Sequence, residues 1–137
     1  MKISSMTKEE IIHYFVSLPE WQSYVDAMGE EYDDDIDYAG PRNNKFLDFM
    51  IPSTMYGINM NPIFFQHDGG YEIGGDKSKR FKVDVTMLAS GLFIIENWPI
   101  SKWIWGMNWA RKGLARRRLL KYYEGVRSQG YKSFNFH

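Results

Sequence analysis

His67, Asp68, Tyr71 and Asp84 are the residues of this 137-residue chain whose types and spacing could do acid–base chemistry together. Histidine is the side chain that takes up and releases a proton near neutral pH. As a general base it needs a partner that orients its second ring nitrogen. Asp68 cannot be that partner, because adjacent residues on a helix point about 100° apart. The orienting acid must come from elsewhere, and Asp84 is the candidate if its helix packs antiparallel to that of His67 through the short connection at 74–77. Asp68 is then left to bind a cation with carbonyl oxygens of the preceding loop, a hard oxygen set suited to calcium. A histidine base, a carboxylate behind it and a cation able to polarise an ester carbonyl are the parts of a hydrolase. An isolated histidine is more often a hydrogen-bonded structural residue, so the reading rests on all four residues.

The elements that must position them are legible as helices. Asn61 can cap a helix whose first position holds Pro62, where a missing N–H is not needed, and Gly74-Gly75 stops it. Tyr71 lies at i+4 from His67, on the same face. Gly69-Gly70 costs on the order of 1 kcal/mol per glycine inside a helix, which points to close approach of another backbone or of a ligand. Asp76 or Ser78 can cap the next helix, where Phe81, Val85, Leu88, Leu92 and Ile95 form an apolar stripe predicted to face the core, with Asp84 on its flank. Trp98-Pro99 ends it.

Upstream, Thr7-Lys8-Glu9-Glu10 is a capping box, predicting a helix over about 8–18. After Pro19, the residues Trp21, Val25 and Met28 share a second helical face that stops at Gly29. Downstream, Ser101 can cap a long last helix running to about Ser128 and stopped by Gly130. The segment from Gly40 to Met60 is punctuated by Gly, Pro and Asn and reads as a long ordered loop, and no hairpin is evident. The expected fold is therefore mainly α. An antiparallel helix pair carries the His-Asp site, with N-terminal helices before it and a long basic helix after it. It forms a single domain over 1–137, divided into a helical extension with an acidic loop (1–40) and a core (41–137).

Composition narrows the class. Hydrophobic residues make up 44% and charged residues 25%, as in ordinary globular domains, whereas the aromatic content is high at 17%. Cysteine is absent, which excludes disulfides and thiolate metal sites. No signal-peptide core precedes Glu10, and the longest uncharged apolar run, Val85 to Ile95, is too short to span a bilayer, so a soluble protein is expected. The formal net charge of zero hides a polarity: residues 1–50 carry 11 acids and 4 bases, residues 51–137 carry 6 acids and 13 bases. The acidic run 30–37 reads as a solvated loop, with a metal site or a contact for a basic protein partner as alternatives. No frame of it gives both the glycine and the glutamate of an EF-hand loop.

Trp103, Trp105 and Trp109, beside Arg111 and Lys112, read either as core or as an interfacial membrane surface, since indole favours the headgroup level and cations attract anionic lipids. Arg116-Arg117-Arg118 spread round a helix with no nucleic-acid motif about them, which argues against nucleic acid as a partner.

The string Ile51-Pro-Ser-Thr-Met-Tyr-Gly57, then Pro62, then His67-Asp68-Gly-Gly-Tyr71, resembles the phospholipase A2 superfamily, nearest its small prokaryotic, fungal and phage-type branch. Arg80-x-x-x-Asp84 and Tyr123-x-x-Val126-Arg127-x-x-Gly130 also resemble stretches that recur downstream in such proteins. The resemblance covers roughly 45–136. It implies a calcium-dependent hydrolase of phospholipid acyl esters, with His67 activating a water and Asp84 and Tyr71 completing its hydrogen-bond network. Asp68 would be a calcium ligand, and the loop carbonyls would fall near Leu47 and Asp48. Secreted members brace this helix pair with disulfides, which this chain lacks. The alternative expectation is a non-catalytic binding or structural protein on the same scaffold, as part of a larger particle or bound to a basic partner.

Overall fold

A computed structural model describes residues 6–35, 54–55, 58–99 and 108–137. Among these, five α-helices run in the order α1 (Lys8–Val16), α2 (Trp21–Met28), α3 (Asn61–Ile73), α4 (Lys77–Asn97) and α5 (Asn108–Gln129), and a 3₁₀ turn (Gly130–Lys132) follows. The fold is mainly α. A two-residue ladder, β1 (Thr54–Met55) against β2 (Ile58–Asn59), precedes α3, so the stretch read as loop contains a small antiparallel hairpin. The Ser101 cap and most of the 40–60 loop lie outside the described residues.

Helix starts follow the side chains that can satisfy free N–H groups. Thr7 and Glu10 close the capping box of α1, and the Asp76 side chain accepts from the Lys79 N–H at the start of α4. Helix α3 differs from expectation by one residue. Asn61 is inside it, and its N–H is met by the Asn59 side chain at 2.9 Å. Asn59 and Asn61 also donate to Asp34, to its carboxylate and its carbonyl respectively. The acidic loop is thus tied at Asp34 to the start of the central helix rather than wholly solvated.

Helix α3 is buried along nearly its whole length and forms the middle of the molecule, with α2 on one side and α4 on another. Trp21 stacks on Phe65 at 5.1 Å, and Tyr32 meets both rings edge-on. Phe64 packs against Tyr122 of α5. The high aromatic content is therefore spent on seams between helices. The glycines of α3 set its spacing: a Cβ on Gly69 would lie 2.7 Å from Tyr24 Cβ, and one on Gly70 would lie 2.7 Å from a Val83 methyl. Close approach of Tyr24 on α2 and Val83 on α4 accounts for the Gly69-Gly70 pair.

The α4 stripe is corrected by the structure. Its buried residues are Arg80, Asp84, Met87, Gly91, Ile94 and Ile95, whereas Phe81, Val85 and Leu92 are exposed, Phe81 by 50%. The helix is rotated so that Asp84 stands in the core and Phe81, Val85 and Leu92 become the flank, while Leu88 packs against the core and Ile95 is buried in it as the stripe predicts. Two causes are visible. Arg80 and Asp84 find their hydrogen-bond partners inside, and Gly91 lets Leu119 of α5 approach so closely that a Cβ would lie 2.6 Å from it.

Candidate functional site

Helices α3 and α4 are joined by a tight turn and pair antiparallel, with Tyr71 level with Arg80, His67 with Asp84 and Ile63 with Gly91. This register brings the sequence-predicted pair together. His67 Nε2 lies 2.8 Å from Asp84 Oδ1; the histidine is 4% exposed and the aspartate 0%. Facing a carboxylate, Nε2 carries the proton, which leaves Nδ1 as the basic nitrogen. The Tyr71 hydroxyl donates to the same Oδ1 at 2.7 Å, and its ring lies 4.2 Å from the imidazole.

Two arginines complete the network. Arg127, on the last turn of α5, donates from Nη1 to Asp84 Oδ2 at 2.6 Å. Arg80 donates from Nε to the Tyr71 hydroxyl at 3.3 Å and from Nη2 to the carbonyls of Val126 and Arg127 at 2.8 and 2.9 Å. It therefore ties the end of α5 to the dyad. Sequence reasoning missed both roles. The i,i+4 spacing of Arg80 and Asp84 was a readable signal, but nothing local links Asp84 to a residue 43 positions later.

Burial pushes the Asp84 carboxyl up, and the bonds from His67, Tyr71 and Arg127 more than reverse it, so it is held below the usual carboxylate range. Tyr71 is pushed the other way, first by burial and then by the adjacent Asp84 charge, so its hydroxyl remains a donor.

A segment after α5 braces the other side of Tyr71. Phe134 meets its ring edge-on at 5.0 Å. Backbone bonds run from Asn135 N–H to the Tyr71 carbonyl, from Gly75 N–H to the Asn135 carbonyl and from His137 N–H to the Gly75 carbonyl. Gly74, with φ 73°, must be glycine twice over, since a Cβ would also collide with the Asn135 carbonyl oxygen.

The remaining candidates are not gathered at the dyad by the described residues. Asp68 is half-buried on α3, while Leu47 and Asp48 lie outside the described residues, as do Trp103 and Trp105. Among the described residues no group of three or more His, Cys, Asp and Glu assembles around a cation-sized point. Trp109 is 76% exposed, which removes it from the core. Arg111 and Lys112 are half-buried and reach the carbonyls of Pro99 and Glu96. No family model, curated protein or solved structure matches the chain.

Proposed function

We propose that this protein is a phospholipase A2-like hydrolase that cleaves a phospholipid acyl ester with His67 as general base. The observation that carries the reading is the 2.8 Å contact from His67 Nε2 to a fully buried Asp84, which leaves Nδ1 to take a proton from water. Asp84 fixes the ring and stabilises the imidazolium formed in the step, and Tyr71 holds Asp84. Asp68 would offer a carboxylate to calcium, with carbonyls near Leu47 and Asp48 as further donors. When bound, the cation supplies charge stabilisation to the ester carbonyl oxygen. Hydrolysis of mixed phospholipid micelles, with and without calcium, tests the reading. His67→Gln is expected to lower the rate by about 10²–10⁴-fold with the fold retained. Activity that survives both that substitution and chelation would sink it.

A second reading, a non-catalytic scaffold, is favoured by the same carboxylate. Asp84 on α4 accepts from both α3 and α5, a structural task in itself. Inactivity of the wild type on several phospholipids, together with a stable co-purifying partner, would support it.

A further inference from the structure

Helices α2, α3 and α4 line a cleft of about 70 Å³ that the ester chemistry does not use, several times the room one water needs. The close approaches at Gly69 and Gly70 bring Tyr24 of α2 and Val83 of α4 against α3. Gln66, one turn before that pair, is the most buried of the lining residues at 3% exposure and forms the floor. Lys79, Lys82, Val83 and Thr86 recur at helical spacing, so one face of α4 turns all four to the cleft. The Gln66 Oε1 atom is buried and accepts no hydrogen bond among the described residues. Buried acceptors are as a rule met by protein, water or ligand. Burial, and then the Glu20 charge, raise the proton affinity of the Tyr24 hydroxyl, which stays a donor beside Gln66. At the rim, Lys79 and Lys82 are exposed, and neither ammonium forms an ion pair among the described residues.

We propose that this cleft binds a hydrogen phosphate group, with Lys79 and Lys82 on its anionic oxygens and its P–OH donating to Gln66 Oε1. Two lysines alone would take any anion. A buried carbonyl oxygen repels an oxygen that carries no proton, so the two demands together select an anion that is also a donor. Hydrogen phosphate meets both demands. Sulfate, without a proton near neutral pH, meets only the first. The hydroxyls of Tyr24 and Thr86 on the walls can serve the remaining oxygens. Free phosphate and the headgroup of a phosphomonoester lipid share this chemistry, whereas a phosphodiester headgroup has no P–OH. The inference does not depend on His67 acting as a base.

The test is an amide NMR titration of the full chain with potassium phosphate and with potassium sulfate at one ionic strength. It is run at about pH 6, where a phosphomonoester also keeps part of its P–OH. Phosphate is expected to saturate, with shifts at the Gln66 side-chain amide and at Tyr24 and Thr86. Sulfate is expected to bind at least about tenfold more weakly. Sulfate binding as tight as that of phosphate, no saturation by phosphate, or shifts that spare Gln66 overturn the proposal. The Lys79→Gln, Lys82→Gln double variant alters exposed side chains and is expected to weaken phosphate about tenfold. An unchanged affinity overturns the proposal. Gln66→Leu is expected to bring phosphate down to the affinity of sulfate, and a folded Gln66→Leu that still prefers phosphate overturns it. Should that variant fail to fold, the anion comparison and the lysine pair decide. Phosphatidylcholine vesicles carrying phosphatidic acid separate the two sources. Release of bound phosphate by them assigns the cleft to a lipid headgroup, and phosphate retained assigns it to the free anion. Release by vesicles carrying phosphatidylserine instead, a phosphodiester, overturns the P–OH contact.

Discussion

Asp84 is depressed in its proton affinity relative to the unfolded chain, and that has a consequence for stability as well as for chemistry. A carboxyl held low in the folded state contributes stability that is fully present above about pH 4 and is lost as the pH falls through its lower folded value. Denaturant midpoints measured from pH 7 downward are therefore expected to fall below about pH 4 in the wild type, and Asp84→Asn is expected to flatten that decline. Asp84→Ala should cost about 3–5 kcal/mol at neutral pH, because it strands two arginines and a histidine around a vacated acceptor. An acid limb unchanged in Asp84→Asn would mean that another carboxyl governs it. At this scale the sequence was readable where partners are close along the chain. His67, Tyr71 and Asp84 sit on one helical hairpin, and a single antiparallel register places all three. Arg127 was not readable, since its approach depends on how α5 is rotated against α4, which no local pattern encodes.

The helices themselves were legible through their ends: Thr7, Asp76, Gly29, Gly74 and the Trp98-Pro99 step fall where the chain starts and stops turning. Which face of a helix turns inward was less so. Periodicity assigned Phe81, Val85 and Leu92 to the core of α4, and specific contacts made by Arg80, Asp84 and Gly91 overrode it. The close approaches give a direct test. Gly69→Ala puts a methyl against the Tyr24 Cβ and backbone and should destabilise by about 1–3 kcal/mol, the usual cost of overpacking. Among the described residues Gly113→Ala on α5 meets nothing nearer than an Arg116 nitrogen at 3.9 Å and should stabilise by about 0.5–1 kcal/mol through helix propensity. Equal effects of the two in urea unfolding would contradict the packing described. The 133–137 segment was invisible to pattern reading because, Phe134 against Tyr71 aside, the groups it meets are backbone atoms of Tyr71, Glu72, Ile73 and Gly75, which carry no sequence signature. Deleting it should raise amide exchange at Gly75, whose N–H donates to the Asn135 carbonyl, and lower any hydrolytic rate while leaving α1 and α2 protected.

At the scale of the whole molecule, α5 carries a basic face and, separately, exposed aromatic contacts. Helix α5 runs from Arg111 to Lys121 without an acid, and Leu114, Arg117, Arg118 and Lys121 line a shallow hollow of about 220 Å³. Arg127 over Phe81 shows that this basic helix borders the exposed stripe of α4, and Trp109 projects near the start of α5. No helix among the described residues is long and apolar enough to cross a membrane. Under the phospholipid-hydrolase proposal, the basic face would meet a bilayer surface, where each basic residue near anionic lipid contributes about 1 kcal/mol. Vesicles rich in phosphatidylserine should therefore sediment with the protein far better than phosphatidylcholine vesicles. Replacing Arg117, Arg118 and Lys121 together by glutamine should weaken that partitioning on the order of a hundredfold. Trp109→Ala should remove a fluorescence shift on binding while leaving the salt dependence in place. Raising the salt from 0.1 to 1 M shortens the screening length from about 10 to 3 Å and should release most of the bound protein. Vesicle binding that ignores both salt and the triple substitution would assign the basic face of α5 to solvent and place the lipid contact elsewhere on the molecule.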